Sequence, residues 1–128
     1  MIDGHIAGTA RDLVKKQITA ANKHAEESAY RSLCEGLPVL LRTAGLARTV
    51  AFLDAKGGEH AVVLEHIRMQ LQGAGIYSDA KTRSLNLGEW ITTGQRSAAE
   101  YRHVSTLALR IAFWHKRLAQ ALLRKRGE

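Results

Sequence analysis

Hydrophobic residues recur with helical spacing along most of the chain, and the clearest case is the segment 101–126. Its apolar side chains fall on one side of a helix with 3.6 residues per turn. Ser97 and Glu100 can form a capping box, so we predict a helix from residue 97 to about Lys125. The predicted core face consists of Val104, Leu107, Ala108, Ile111, His115, Leu118 and Leu122.

The first half of the chain predicts two helices. One begins near Thr9, where Asp12 follows three residues after a suitable N-cap, and runs to about Leu33. Gly36 interrupts the pattern, and Pro38 fits the first turn of a second helix over 37–55. This second helix is apolar on most sides, which indicates a place at the centre of a bundle. The inward face expected for the first helix is Ala10, Val14, Ile18, Ala21, Ala25 and Ala29.

Residues 59–72 predict a third helix, and a short helix is expected over 85–91 after a polar connection at 76–83. Val62, Val63, Ile67 and Leu71 point inward in the third helix, and Leu87, Trp90 and Ile91 anchor the short one. No segment shows the alternation typical of a strand. The expected fold is all-α: a single domain over residues 1–128, built as an antiparallel bundle of about five helices.

The polar side of the last helix carries a regular series of arginines. With 1.5 Å per residue they span about 33 Å of helix axis. No acidic residue lies between Tyr101 and Gly127, while Phe113 and Leu109 place apolar surface beside the charges. A solvated helix face is the simpler interpretation, and a surface that binds a phosphate backbone beside a protein partner is the sharper one. The polar side as a whole consists of Arg102, Thr106, Arg110, Phe113, Arg117, Gln120 and Arg124, of which four are arginines.

Composition supports a basic soluble protein. The 128 residues include 19 Lys and Arg and 12 Asp and Glu, which gives a net charge of +7 and favours polyanionic partners. Cys34 is the single cysteine, so no internal disulfide is expected and its apolar surroundings indicate a buried thiol. Neither a signal peptide nor a membrane-spanning run is evident. We therefore expect a cytoplasmic protein.

Catalytic and metal-binding chemistry find little support in the pattern. His60 and His66 are too far apart on one helix to share a metal, and His115 falls on an apolar face, where a core role is expected. The acids are scattered, and the Gly57–Gly58 pair lacks the context of a phosphate loop. Trp90 and Trp114 could stack on bases, although a place in the core is favoured. We expect no enzyme activity, no metal and no cofactor.

Two blocks of the sequence resemble a known family. SLCEGLPVLLRTAGLARTVAFLDAKGG, residues 32–58, carries an LP helix start, the Gly45–Leu46 pair, the AFL at 51–53 and Lys56. WHKRLAQALL, residues 114–123, is similar to a terminal W-x-K-R-x-A-x-A-L pattern. Both resemble the small helical subunit of the type III-B CRISPR effector, the Cmr complex. The resemblance covers most of the chain and is weakest over 76–96 and the first eight residues.

The resemblance implies a non-catalytic subunit of an RNA-guided antiviral complex. Such subunits stack as a short inner filament beside the subunits that hold the guide, and they help to stabilise guide and target RNA, while other subunits cleave. The expected partners are those subunits, the two RNAs and copies of the chain itself. The last-helix arginines are the first choice for RNA contacts, with Leu109 and Phe113 for protein contacts, and Arg42, Arg48 and Lys56 are the competing RNA set. A free-standing helical regulator that binds nucleic acid remains the alternative.

Overall fold

The computed structural model describes residues 2–20, 24–76, 87–92 and 97–123, and these residues form six helices and no strand. The all-α bundle is confirmed, with six helices in place of about five. The helices are α1 (Ile2–Ala20), α2 (His24–Ala44), α3 (Leu46–Lys56), α4 (Glu59–Gly73), α5 (Leu87–Thr92) and α6 (Ala98–Leu122).

The long helix α6 packs against α1, α2 and α4. It begins with the predicted capping box, in which the Glu100 N–H donates to Ser97 Oγ at 3.0 Å and the Glu100 carboxylate accepts from the Ser97 N–H. The predicted core face is confirmed, since its members from Val104 to Leu118 are buried and Leu122 is half-buried. The expected helix end at Lys125 lies outside the described residues.

Helices α2 and α6 run antiparallel, because contacts that advance along one retreat along the other. Near the start of α2, Arg31 Nη1 donates to the Leu123 carbonyl at 3.0 Å. Near its end, the Arg42 guanidinium lies over the Phe113 ring, 5.0 Å from the centroid. Just past it, the Ala47 N–H donates to the Tyr101 hydroxyl at 3.0 Å. The antiparallel packing of α2 on α6 therefore determines which of their surface residues are neighbours.

The boundaries expected for the first two helices were wrong. Gly36 and Pro38 lie inside α2, and the helix breaks instead at Gly45. The apolar stripe of Tyr30, Cys34, Leu37 and Leu41 keeps one helical phase past both residues; the first three side chains are buried and Leu41 is half-buried against the core. Burial of that stripe outweighs the helix penalty of proline, which is about 3 kcal/mol in a helix interior.

The inward face of the first predicted helix is only partly right. Ala10 and Val14 are buried, whereas Ala29 is exposed because the buried stripe of α2 has the phase of Tyr30. Ala21, and the side chains of Ile18 and Ala25, lie outside the described residues.

The second predicted helix is not the centre of the bundle. Its residues are divided between the end of α2 and α3, and both parts face solvent on one side. Val39 is 59% exposed and Phe52 is 41% exposed. Part of the apolar composition of this segment therefore lies at the surface, although large hydrophobic side chains are more often interior.

The third helix and the short helix are confirmed as α4 and α5. Val63, Ile67 and Leu71 are buried as expected and Val62 is half-buried; Leu87 and Trp90 are buried in α5, and Ile91 is half-buried. The polar connection from residue 77 to residue 83 lies outside the described residues.

Gly45 separates α2 from α3 through its backbone conformation. Its φ of 84° and ψ of 167° are a combination that essentially only glycine adopts. A Cβ there would meet nothing closer than the Tyr101 hydroxyl at 3.9 Å, so the requirement is torsional and not one of close packing. The same hydroxyl accepts from the Ala47 N–H and so performs the capping that Gly45, without a side chain, cannot.

A buried chain of polar side chains connects α1, α2, α4 and α6. The Tyr30 hydroxyl lies 2.7 Å from His66 Nδ1 and 3.2 Å from His115 Nδ1. On its other side, the His115 ring contacts Gln70 through Nε2 and Oε1, and Gln70 Nε2 donates to the Ile6 carbonyl at 3.2 Å. All four side chains are buried. Polar groups in such a place are stabilising only when each has its partner.

The donor and the acceptor of each hydrogen bond in this buried polar chain can be assigned, starting from the Ile6 carbonyl. A carbonyl only accepts, so the Gln70 amide nitrogen faces Ile6 and its oxygen faces His115, which therefore carries its proton on Nε2. His115 Nδ1 is then an acceptor for the Tyr30 hydroxyl proton. The Tyr30 oxygen in turn accepts from His66, whose proton is on Nδ1. Both histidines are neutral in this arrangement.

Burial shifts the pKa values of the surrounding groups toward their neutral forms. It lowers the pKa of His66 to about 4 and that of His115 to about 3. It also raises the pKa of the Cys34 thiol to about 12. The buried position expected for Cys34 is confirmed. The core assignment of His115 is confirmed as well.

A pair of glycine substitutions tests the Gly45 assignment. Gly45→Ala should lower the free energy of unfolding by about 1–3 kcal/mol, because alanine is strained at this φ and ψ. The control Gly73→Ala should raise it by about 0.4–1 kcal/mol, since Gly73 is helical and nothing lies within 4 Å of its added Cβ. Urea denaturation measures both. Equal stabilities of the two variants would contradict the torsional role.

The neutral histidines predict that stability falls in mild acid. Their folded pKa values lie below the ordinary value near 6.5, so the unfolded chain binds more protons as pH drops from about 6.5 toward 4. The free energy of unfolding should fall by up to about 1.4 kcal/mol per pH unit for each histidine. Urea titrations between pH 7 and pH 5 measure the slope. The exposed-site control His103→Gln should keep it, and a flat profile would contradict neutral His66 and His115.

Candidate nucleic-acid interface

The arginine series predicted on the last helix lies on the outer face of α6. Arg102, Arg110 and Arg117 are exposed, as are Thr106 and Phe113. Arg124 lies outside the described residues. The regular backbone of α6 holds the three described guanidinium groups along one side at intervals of eight and seven residues, which correspond to about 12 Å and 10 Å of axis.

Arg42 of α2 joins this face of α6 through Phe113. The guanidinium lies 5.0 Å from the ring centroid, a cation–π distance, and the ring is itself 38% exposed. Phe113 stands three residues after Arg110 and four before Arg117, so its neighbours on the helix surface are also cations. We define the surface of Arg42, Arg102, Arg110, Phe113 and Arg117 as the α6 patch.

An acid limits the α6 patch at its carboxyl-terminal end. Gln120 Nε2 donates to Glu35 Oε2 at 3.1 Å, and Glu35 also lies 3.6 Å from Arg31 Nε. The helical wheel of α6 could not include this acid, because Glu35 belongs to α2 and is far from Gln120 in the sequence. The part of α6 from Arg102 to Arg117 is therefore the cationic part, and Gln120 belongs to a mixed polar cluster.

Leu109 lines a shallow cleft beside the α6 patch. The cleft has a volume of about 170 Å³ and is formed where the end of α2, the start of α3 and α6 meet. Leu109 is half-buried, so it contributes less surface to a partner than Phe113 does. The other lining residues are Leu41, Leu46, Ser105 and Thr106.

The competing set of Arg42, Arg48 and Lys56 is divided between two helices. The break at Gly45 places Arg42 with α6, whereas Arg48 and Lys56 are exposed on α3. Between them, at steps of four residues, stands Phe52. Lys56 Nζ lies 5.7 Å from its ring centroid, and the His60 ring of α4 packs edge-on at 5.6 Å. We define Arg48, Phe52, Lys56 and His60 as the α3 patch.

Phe52 was missed by the sequence reasoning because the second predicted helix was taken to be buried. The signal that could have found it is the spacing of Arg48, Phe52 and Lys56, which puts an aromatic between two cations on one helix face. The tryptophans weighed for base contacts lie elsewhere: Trp90 is buried, and Trp114 is half-buried against the core.

Glu65, Glu59 and Asp54 lie in different surroundings. Glu65 accepts from Arg68 at 2.8 Å, and this hydrogen bond lowers the Glu65 pKa. Burial, with Glu26 nearby, raises the pKa of Glu59. Asp54 lines a cleft with Glu89 between α3 and α5. Within the described ranges, no group of three or more His, Cys, Asp and Glu side chains could hold a metal ion.

Comparison with known proteins agrees with this architecture. The family model described as CRISPR-associated protein (Cas_Cmr5) matches residues 7–122. The chain belongs to the Cmr5 family. A Cmr subunit Cmr5 from Thermus thermophilus is 32% identical over 108 residues, which cover 84% of this chain and 87% of that protein. The crystal structure of a Cmr5 family protein from Thermus thermophilus superposes with a TM-score of 0.76 at 28% identity, over 97% of this chain and 99% of the other.

Membership of the Cmr5 family confirms the resemblance found in residues 32–58 and 114–123, and it makes the chain a subunit of a Cmr complex. Both cationic patches fall within the matched residues 7–122. Among the described helices, none is long and apolar enough to cross a membrane.

The contact between Arg42 and Phe113 can be measured by a double-mutant cycle. Arg42→Ala and Phe113→Ala should be coupled by about 0.5–1 kcal/mol in the free energy of unfolding, the size of an exposed cation–π interaction. Arg48→Ala combined with Phe113→Ala is the control and should be additive, because Arg48 lies on α3. Additivity of both pairs would show that Arg42 is not held on the ring in solution.

Proposed function

We propose that this Cmr5 family chain is a non-catalytic small subunit that stabilises guide and target RNA within a cytoplasmic, RNA-guided antiviral complex. It stacks with copies of itself as an inner filament and contacts the other Cmr subunits. The observation that carries the RNA-binding part is the α6 patch, where three exposed arginines lie along α6 and a fourth, Arg42 of α2, lies over the Phe113 ring.

The chemistry of the α6 patch suits a phosphate backbone. Guanidinium groups bind phosphate oxygens through several donors in a fixed plane, and such contacts carry no sequence information. That property fits a complex in which base pairing with the guide supplies the specificity. Since α6 packs against three other helices, its arginines are held on a rigid element.

Protein contacts are proposed at the apolar members of the same surface. Phe113 and the cleft beside Leu109 offer hydrophobic area next to the arginines, and Arg42 covers part of the ring. A neighbouring subunit placed here would exclude water from the arginine–phosphate contacts and so strengthen them. Leu109 and Phe113 then contact a neighbouring subunit, and the arginines contact RNA.

The buried polar chain contains two histidines and Tyr30, and its geometry suits structure better than catalysis. Its histidines are neutral, enclosed and committed to one another through Tyr30. A general base must reach a substrate proton, and His115 has no exposed surface. This supports a role in which the chain binds and positions RNA while other subunits cleave it.

A triple substitution tests the α6 patch. Arg102→Ala, Arg110→Ala and Arg117→Ala together should leave the fold intact, since all three side chains are exposed, and should weaken RNA binding by the assembled complex whatever the RNA sequence. With about 0.7 per phosphate for single strands, the log–log salt slope should become shallower by roughly 2. Fluorescence anisotropy over a salt series measures both quantities.

The matched control removes three exposed cations from α1, by Arg11→Ala, Lys15→Ala and Lys16→Ala. It changes the net charge equally and should leave the slope within about one unit of the parent. Equal changes of RNA affinity and salt slope in the two triple variants would show that the α6 patch acts only through the net charge of the protein. Sequence-selective RNA or DNA binding by the free chain, without the other subunits, would favour the free-standing regulator instead.

A further inference from the structure

The α3 patch contains an exposed aromatic ring, Phe52, which phosphate binding alone does not require. Phe52 is 41% exposed in the middle of α3, so part of its ring stays open to a ligand although His60 and Lys56 contact it. Its neighbours Arg48 and Lys56 are exposed, four residues before and four after it. The helix therefore presents cation, aromatic ring and cation in a line of about 12 Å.

The arrangement around α3 separates these cations from the nearest acid on the helix. At 100° per residue, Arg48 and Lys56 lie within about 40° of Phe52 on either side, whereas Asp54 lies about 200° away. Asp54 accordingly lines the cleft toward α5, with Val50 and Glu89. The side of α3 that carries Phe52 is the cationic side.

The Phe52 ring is held in place by α4 and keeps surface for a ligand. The His60 ring meets it at an interplanar angle of 77° and a centroid distance of 5.6 Å, which is an edge-to-face contact. Lys56 Nζ, 5.7 Å from the centroid, is the end of a flexible side chain and can move to a nearby anion. Ala51 and Ala55, the neighbouring α3 residues, are small.

We propose that the α3 patch binds an unpaired nucleobase of single-stranded RNA, which stacks on Phe52 while Arg48 and Lys56 contact the flanking phosphates. An aromatic ring between cations is the combination that single-strand-binding proteins use, because every base has a π-face and every nucleotide a phosphate. The ring adds an apolar contact that depends on the base being present and not on its identity. This separates the α3 patch from the α6 patch, for which we propose backbone contacts.

The inference rests on the proposed RNA-binding function but concerns other residues. A protein partner with an acidic, apolar surface is the competing occupant of the same patch. Stacking is favoured because the ring is 41% exposed, His60 holds it at a steep interplanar angle of 77°, and Arg48 and Lys56 flank it lengthwise as a base between two phosphates requires.

An abasic strand distinguishes base stacking from charge. The full chain is titrated at low salt into a fluorescein-labelled oligo(A) of about 12 nucleotides, within the usual site sizes of single-strand binders, and into a strand with the same sugar–phosphate backbone but without bases. Phe52→Ala should weaken oligo(A) binding by roughly 5- to 100-fold and leave abasic binding unchanged. Phe52→Trp should retain oligo(A) binding. Arg48→Ala with Lys56→Ala should weaken both strands and make each salt slope shallower by about 1.4.

Two controls complete the design. Met69→Ala removes another exposed hydrophobic side chain, which lies about 180° from His60 on α4, and should leave both affinities unchanged. The triple α6 variant should weaken both strands while the additional effect of Phe52→Ala on oligo(A) persists. If the α6 variant has no effect but Phe52→Ala does, the α6 proposal fails and the α3 proposal stands.

Several outcomes would overturn the α3 proposal. They are a parent chain that binds neither strand, equal affinity losses of Phe52→Ala on both strands, or no loss on oligo(A). A Phe52→Ala chain that keeps its RNA affinity but no longer copurifies with another Cmr subunit would identify the patch as a protein contact.

Discussion

The position of Tyr30 determines how the helices of this bundle are placed relative to one another. Its hydroxyl joins a histidine of α4 to a histidine of α6, and the chain continues through Gln70 to the Ile6 carbonyl of α1. Apolar stripes alone tolerate small shifts of one helix along another, because hydrophobic burial has no direction. A hydrogen-bonded chain does not tolerate them, since each broken link would leave a buried polar group unpaired at a cost of about 1–3 kcal/mol.

The surface chemistry depends on this alignment. Tyr30 and His115 set α2 against α6, and the antiparallel contacts then follow at Arg31 and Leu123, at Glu35 and Gln120, and at Arg42 and Phe113. A one-turn slip of α2 would separate Arg42 from Phe113 by about 5 Å and could bring Glu35 closer to Arg117. The neutral core and the cationic surface are thus linked, because the position of Arg42 over Phe113 depends on how α2 packs on α6.

The sequence was sufficient for the parts of the fold that depend on local patterns. The capping box at Ser97, the core face of α6 and the extent of α4 all follow from residues close in the chain, and each is confirmed. The helix boundaries before α3 could not be predicted in the same way, because Gly36 and Pro38 normally interrupt helices and only tertiary burial of Tyr30, Cys34 and Leu37 overrides that tendency.

The candidate sites show the same division between local and long-range information. The exposure of Arg102, Arg110 and Arg117 followed from one helical wheel. The nearness of Arg42 to Phe113 and of Glu35 to Gln120 required the packing of α2 on α6. Both patches place an aromatic ring among cations. If they bind RNA as we propose, contacts with phosphates and base faces carry no sequence information, and this suits a subunit that serves guides of every sequence.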